Sequence, residues 1–291
     1  ATLLNIAVLM LWVVFGLKAA LFPLYFWLPA AYAGATAGVA ALFAIMTKVG
    51  FYAMVRVYAL AFADGPFAGL GQSALWWLAL VTLALACVGV LGSKRLGTLV
   101  SYLVVMSVGT LVAALAFGQL EALGPALYYL LHSTLICGGL FLLADLIARG
   151  RGEVADDLQI GPAILNGGRL SVLFFVAAIA VVGLPPLSGF VGKVALLRSV
   201  PDPAYWVLLL VAGLCGLIAL SRAGSTLFWR TTGEGSGLRP ARRHLVAVLW
   251  LLLLSPLMTV YAEPLLQLTT AVADQLRDPD LYLSAVLGGD A

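Results

Sequence analysis

Four ionisable residues lie inside long apolar stretches of this sequence, where a hydrocarbon environment should exclude charge: Lys18, Lys48, His132 and Lys193. A lysine at the centre of a membrane helix costs about 2.5–3.5 kcal/mol on insertion scales. We therefore expect these side chains to face the interior of a helix bundle, or water, rather than lipid. A buried amine or imidazole beside a movable partner can take up a proton and release it again. The pattern therefore predicts proton transfer.

Simpler interpretations exist for each of these residues. Lys18 could reach the membrane interface along its own apolar stem. His132 could be a packing histidine, bonded to a neighbouring hydroxyl such as that of Ser133. Asp145 and Arg222 lie less deeply in their apolar stretches, near helix ends, and their positions favour interfacial anchoring or ion pairing.

Proline interrupts two of the apolar stretches, at residues 22–29 (FPLYFWLP) and 183–189 (GLPPLSG). Proline removes a backbone donor and clashes with the preceding helical turn. Inside a membrane, unwound backbone persists only where protein or water satisfies its polar groups. Each break has a lysine within a few residues, Lys18 or Lys193, and broken helices beside ionisable residues are typical of ion-transport sites. Two ordinary proline kinks are the alternative.

The composition excludes several classes of protein. Of the 291 residues, 63% are hydrophobic and only 10% are charged, and the mean hydropathy is +1.08. Such a chain cannot cover a soluble surface with charge, and a net charge of +3 forms no basic stripe for nucleic acid. Cys87, Cys137 and Cys215 lie in apolar runs without metal-ligand spacing. We expect no metal and no cofactor.

Continuous apolar runs long enough to cross a bilayer as helices recur along the chain, without the residue-by-residue alternation of a membrane barrel. The fold class predicted is therefore all-α, a polytopic membrane helix bundle with broken helices. Eight spans are expected, at residues 3–28, 36–62, 74–93, 96–118, 122–148, 169–199, 204–229 and 242–262. The tail 263–291 is predicted to hold an amphipathic surface helix.

Basic residues are unequally divided between the two sets of gaps. Nine Lys and Arg residues fall in or beside the gaps after the third, fifth and seventh spans, against three on the other side. Because cytoplasmic loops carry the excess of basic residues, the gaps after odd-numbered spans are predicted to be cytoplasmic and the C-terminal tail to lie outside.

Four segments together resemble a known family: residues 18–29 (KAALFPLYFWLP), 47–52 (TKVGFY), His132 with 139–143 (GLFLL), and 183–193 (GLPPLSGFVGK). They are similar to the proton-conducting antiporter-like subunits of respiratory complex I, membrane-bound hydrogenases and Mrp-type multisubunit Na+/H+ antiporters. Residues 22–29 are most similar to the D subunits of the Mrp type, also called Mnh or Pha.

This resemblance implies a fold of two inverted five-helix repeats, each with one broken helix. Residues 1–62 would end the first repeat, 63–229 would form the second, 230–262 would be a cytoplasmic loop and a final membrane helix, and 263–291 would be the tail. The chain would thus hold the second half of the antiporter-like fold, and about six helices, with the family's conserved glutamate, would precede it.

Roles for single residues follow from the same resemblance. Lys18 would be the lysine beside the first broken helix, Lys48 the connecting lysine on the next helix, His132 the central linking histidine and Lys193 the terminal lysine. Some relatives carry a second histidine near Ser107, so a water chain would bridge that position here.

The function implied is proton translocation within a multisubunit antiporter, in which H+ influx drives Na+ or K+ efflux across a bacterial plasma membrane. Partners would be the other subunits and membrane lipid. One alternative is an antiporter-like subunit of a redox-driven pump of the complex I or hydrogenase type. A structural subunit with vestigial charges is the third interpretation.

Overall fold

The computed structural model describes residues 2–59, 69–164, 167–233 and 242–278, and these residues form a helical bundle. The helices are α1 (Thr2–Ala19), α2 (Trp27–Gly34), α3 (Ala37–Val57), α4 (Gln72–Gly92), α5 (Leu96–Ala116), α6 (Leu123–Arg151), α7 (Gly167–Val182), α8 (Ser188–Ser199), α9 (Pro203–Gly224), α10 (Arg242–Val260) and α11 (Ala262–Arg277).

Both predicted breaks are present. The first span is divided into α1 and α2, with Ala20 in the left-handed region at φ 63° and a cis Phe22–Pro23 bond between the helices. The sixth is divided into α7 and α8, with Gly183 at φ 87° and a cis Pro185–Pro186 bond. Each broken helix is followed by an unbroken one, α3 or α9.

Membrane-spanning helices account for most of the described residues. Seven helical segments are long and apolar enough to cross a bilayer, judged by length and composition, and α7 is a shorter apolar helix. With the interrupted α7–α8 pair, they correspond to the eight predicted spans. The prediction of an all-α, multi-pass membrane protein is confirmed, although residues 60–62 of the second span lie outside the described residues.

The centre of the bundle is α5. It is apolar on all sides, and 94% of an apolar 18-residue stretch within it is buried inside the bundle. It packs against α2, α3, α4, α6 and α9. A helix that is hydrophobic all round belongs in a core, and α5 contacts α3 and α6, the helices that carry Lys48 and His132.

Three loops meet at one end of the bundle. The amide of Leu158 donates to the carbonyl of Lys94 at 2.8 Å, and the amide of Thr232 donates to the carbonyl of Gly161 at 2.9 Å. The described parts of the gaps after α4, α6 and α9 therefore share one side, as the charge pattern predicts. Which side is cytoplasmic stays a prediction.

Near the C-terminus, α11 confirms the amphipathic helix expected in the tail. Ala273 and Leu276 are buried in the core cluster, whereas Leu268 is exposed. The helix lies against the start of α6, with Thr270 packed close to Gly124. Residues 279–291 lie outside the described residues.

Candidate functional site

Lys48 is enclosed by protein. Its side chain, on the inward face of α3, is only 3% exposed, and its Nζ donates a hydrogen bond to the Ser107 hydroxyl of α5. Ser107 in turn donates to the Val104 carbonyl at 2.7 Å. The Cys137 thiol of α6 lies within electrostatic range of the amine. The amine therefore lies at the junction of three helices, with a hydroxyl as its partner.

His132 occupies the interior of α6 and is 1% exposed. Its Nδ1 lies 2.7 Å from the Ser188 hydroxyl at the start of α8. The neighbouring Ser133 instead donates to the Leu130 carbonyl of its own helix at 3.2 Å. The hydroxyl bonded to the imidazole thus comes from the second break rather than from the adjacent residue.

The amine of Lys193 binds the broken end of α7. Nζ donates to the Val182 carbonyl at 2.6 Å, with the Val181 carbonyl at 3.5 Å. The last carbonyls of a helix have no intrahelical partner and carry partial negative charge. A lysine ammonium at this position is therefore stabilised without a carboxylate. The half-buried side chain also lines an apolar cavity of about 290 Å³ between the break and α9.

Gly189 allows His132 and the break to approach one another. A Cβ at this residue would overlap the Ala180 carbonyl oxygen and would lie 2.9 Å from Nε2 and 3.0 Å from Cε1 of His132. His132 is also within electrostatic range of Lys193. The second break thus brings His132 and Lys193 together around the free carbonyl end of α7.

Lys18 is placed differently from the other three. It lies at the end of α1, and its side chain is exposed. Neighbouring α1 side chains, such as Leu11, Val14 and Leu17, are exposed as well. We expected Lys18 to face the interior, but within the described residues α1 forms the edge of the bundle, where one side has no neighbour. Gly50 of α3 packs against the backbone at Lys18.

The two less deeply placed residues have structural partners. Asp145 accepts a hydrogen bond from Arg149 at 2.7 Å, four residues along α6, as the ion-pair interpretation predicts. Arg222 instead donates to the Leu91 carbonyl at 2.7 Å, at the end of α4. It therefore satisfies the end of a neighbouring helix rather than pairing with a carboxylate.

The interactions of Asp156 and Arg151, at the end of the bundle where the three loops meet, were not predicted from the sequence. Asp156 accepts from Arg95 at 2.7 Å and from the Gly97 amide, in the first turn of α5, at 2.8 Å. The Asp156 carboxylate raises the pKa of Arg95 above its ordinary value through a hydrogen bond and opposite charge. Arg151, 1% exposed, donates to the carbonyls of Asp157 and Gln159. Charge in a short loop was the only available signal.

Among the described residues, no group of three or more His, Cys, Asp or Glu side chains could hold a metal ion. The polar groups brought together in the bundle interior are amines, an imidazole, hydroxyls and free helix-end carbonyls. The amines, the imidazole and the hydroxyls can take up and pass protons, and the carbonyls can accept hydrogen bonds from them.

The described residues form a multi-pass α-helical membrane protein, and its discontinuous helices with ionisable residues at a break are typical of ion-transport sites. The chain belongs to the family described as NADH:quinone oxidoreductase/Mrp antiporter, TM, whose model matches residues 1–219.

Curated relatives agree with this assignment. The chain is 37% identical to the D subunit of a probable K(+)/H(+) antiporter of Rhizobium meliloti, covering 98% of this chain and 59% of the relative. It is 33% identical to the D subunit of the Na(+)/H(+) antiporter of Alkalihalophilus pseudofirmus, covering 98% and 58%. The chain therefore spans about three fifths of the length of these relatives.

Solved structures share the fold. A chain of the Mrp complex from Dietzia matches with a TM-score of 0.84 at 22% identity, covering 99% of this chain and 62% of that one. A chain of respiratory complex I from Thermus thermophilus matches with a TM-score of 0.74 at 28% identity, covering 93% and 58%.

Proposed function

We propose that this chain is part of a D-type subunit of a multisubunit monovalent cation/proton antiporter in a bacterial plasma membrane, with its C-terminal tail outside. H+ influx through the assembled complex drives efflux of Na+ or K+. Lys48, His132 and Lys193 relay the protons, and Lys18 lies at the edge where the row meets the rest of the assembly.

One observation carries this proposal: among the described residues, the amines of the buried Lys48 and the half-buried Lys193 lie in an apolar bundle without a carboxylate partner. Lys48 is bonded to a hydroxyl, and Lys193 to helix-end carbonyls. A carboxylate would hold an ammonium charged, whereas neutral acceptors favour the charged form more weakly, so burial can compete with them. Each amine can therefore lose its proton when a neighbour is protonated.

Electrostatic repulsion couples the protonation of His132 to that of Lys193. His132 lies within electrostatic range of Lys193, so protonation of one disfavours protonation of the other. A proton arriving at His132 therefore favours release from Lys193. Such a mechanism requires no resident cofactor.

Transport measured in everted membrane vesicles from cells producing the complete complex tests the proposal. Lys48→Ala and Lys193→Ala should abolish cation-dependent proton movement, whereas Lys94→Ala, at an exposed loop position, should leave it intact. Co-purification of the other subunits shows whether each variant still assembles. Full activity in an assembled Lys48→Ala complex would refute the proposed role.

A redox-driven assembly is the second candidate. The chain is 35% identical over 208 residues to the N subunit of the NADH-quinone oxidoreductase of Desulforudis audaxviator. Purification of the intact complex distinguishes the two, because partners with redox centres would support the pump and partners without them the antiporter.

A further inference from the structure

Two serine hydroxyls connect His132 to the last membrane helix. The Ser188 oxygen lies 2.7 Å from Nδ1 of His132 and 2.8 Å from the Ser255 oxygen of α10. All three side chains are at most 1% exposed. The chain of hydrogen bonds thus runs from the centre of α6, through the second break, into α10.

Ser188 and Ser255 differ in their hydrogen-bond partners from buried hydroxyls such as those of Ser101 and Ser133. Ser101 and Ser133 donate to carbonyls of their own helices, at 2.8 and 3.2 Å. Such local bonds are the usual solution for a hydroxyl in a helix. Ser188 and Ser255 instead bond across helices, 67 residues apart in sequence.

The break and a proline leave acceptors at both ends of this chain of hydroxyls. Pro256 follows Ser255 inside α10. Because proline has no N–H, the Leu252 carbonyl lacks its helical donor and remains available for a hydroxyl or water. At the other end, the Ala180 carbonyl of the broken α7 lies beside the imidazole.

We propose that Ser188 and Ser255 form a proton branch that extends the relay from His132 into α10, so that α10 is a wall of the conducting row. This inference rests on the proposed function. Each hydroxyl carries one proton and can bond in either direction. When Ser188 gives its proton to Nδ1, Ser255 gives its proton to Ser188, and Ser255 takes one from a hydronium ion that reaches α10.

The step balances. Each oxygen gives one proton and receives one, so a single proton moves from the α10 side to the imidazole. Once Lys193 has released its own proton, the imidazolium gives its other proton from Nε2 to that neutral amine, on the side of the α7 carbonyls.

Shape-matched substitutions in the assembled complex test the branch. Ser255→Val and Ser255→Thr have the same shape, but only threonine keeps a hydroxyl. We expect Ser255→Val to slow cation-dependent proton movement about fivefold, the scale of one lost hydrogen bond between neutral groups, and Ser255→Thr to retain the movement. Ser171→Ala, an exposed hydroxyl of α7, should have no effect.

A double substitution distinguishes loss of the proton relay from a defect in packing. If the two hydroxyls act in one chain, Ser188→Ala with Ser255→Val should lose no more transport than either substitution alone. Additive losses, equal activity of the valine and threonine variants, or full activity of Ser255→Val would overturn the branch. If Lys48→Ala still abolishes transport in those cases, the proposed function stands. Normal transport in Lys48→Ala would overturn both.

Discussion

Lys193 donates a hydrogen bond to the carbonyl of Val182, 11 residues earlier in the chain, at a distance of 2.6 Å. The two residues lie on opposite sides of the Pro185–Pro186 break, so the end of one half-helix receives the amine of the other. The break therefore has an electrostatic effect, because the free carbonyls at the end of α7 stabilise a positive charge inside the bundle.

Substitution Lys193→Arg should abolish transport although the positive charge is kept. A guanidinium remains protonated in proteins and cannot release a proton, whereas it can still bond to carbonyls. We expect an assembled complex with no cation-dependent proton movement in everted vesicles. Arg198→Lys, at an exposed position on the same helix, provides the control and should be active. Substantial activity in Lys193→Arg would show that Lys193 only carries charge.

Gly189→Ala should damage the site by sterics alone. The added methyl group would overlap the Ala180 carbonyl and press on the His132 ring, so α8 must shift. Overpacking of this kind costs about 1–3 kcal/mol, and we expect both a lower melting temperature in detergent and loss of transport. Gly168→Ala meets no atom within 4 Å and is the matched control. Equal behaviour of the two variants would show that the close approach is unimportant.

Removal of Asp156 should destabilise the protein more than removal of Asp145. Both carboxylates accept from an arginine at 2.7 Å, but only Asp156 also accepts from the first turn of α5. Loss of a helix cap costs about 1 kcal/mol, whereas an i,i+4 surface pair contributes about 0.3–0.5 kcal/mol. The melting temperature of Asp156→Ala should therefore fall further. Equal shifts would contradict a capping role.

The proposed orientation predicts which ends of the bundle are accessible from outside the cell. In a background lacking the three cysteines, a membrane-impermeant maleimide added to intact cells should label Glu263→Cys and leave Lys94→Cys unlabelled. Everted vesicles should give the opposite pattern. Labelling of Lys94→Cys in intact cells would reverse the orientation derived from the loop charges.

The spans and breaks were predictable because they depend on local chemistry. Apolar length defines a membrane helix, and the glycine and tandem prolines at residues 183–186 interrupt one there. The ionisable residues could be found for the same reason, since a charge in an apolar run is conspicuous. The proton-relay roles assigned to them remain predictions.

Contacts between distant residues were not predictable in this way. His132 pairs with Ser188, 56 residues away, rather than with Ser133, because the break directs the start of α8 at the imidazole. Nothing in the sequence distinguishes Ser255 from the other serines, because its bond to Ser188 depends on the packing of α10 against α8. The exposure of Lys18 likewise depends on which helices surround α1, and its own sequence carries no information about that.

The enclosure of α5 separates Ser107, the partner of Lys48, from the bilayer. Acyl chains touch the outer helices, whereas Ser107 is fixed by a helix that lipid scarcely reaches. A thinner or thicker membrane is accommodated largely by tilting of the peripheral helices. We therefore expect the position of Ser107, the hydrogen-bond partner of Lys48, to change little with lipid composition.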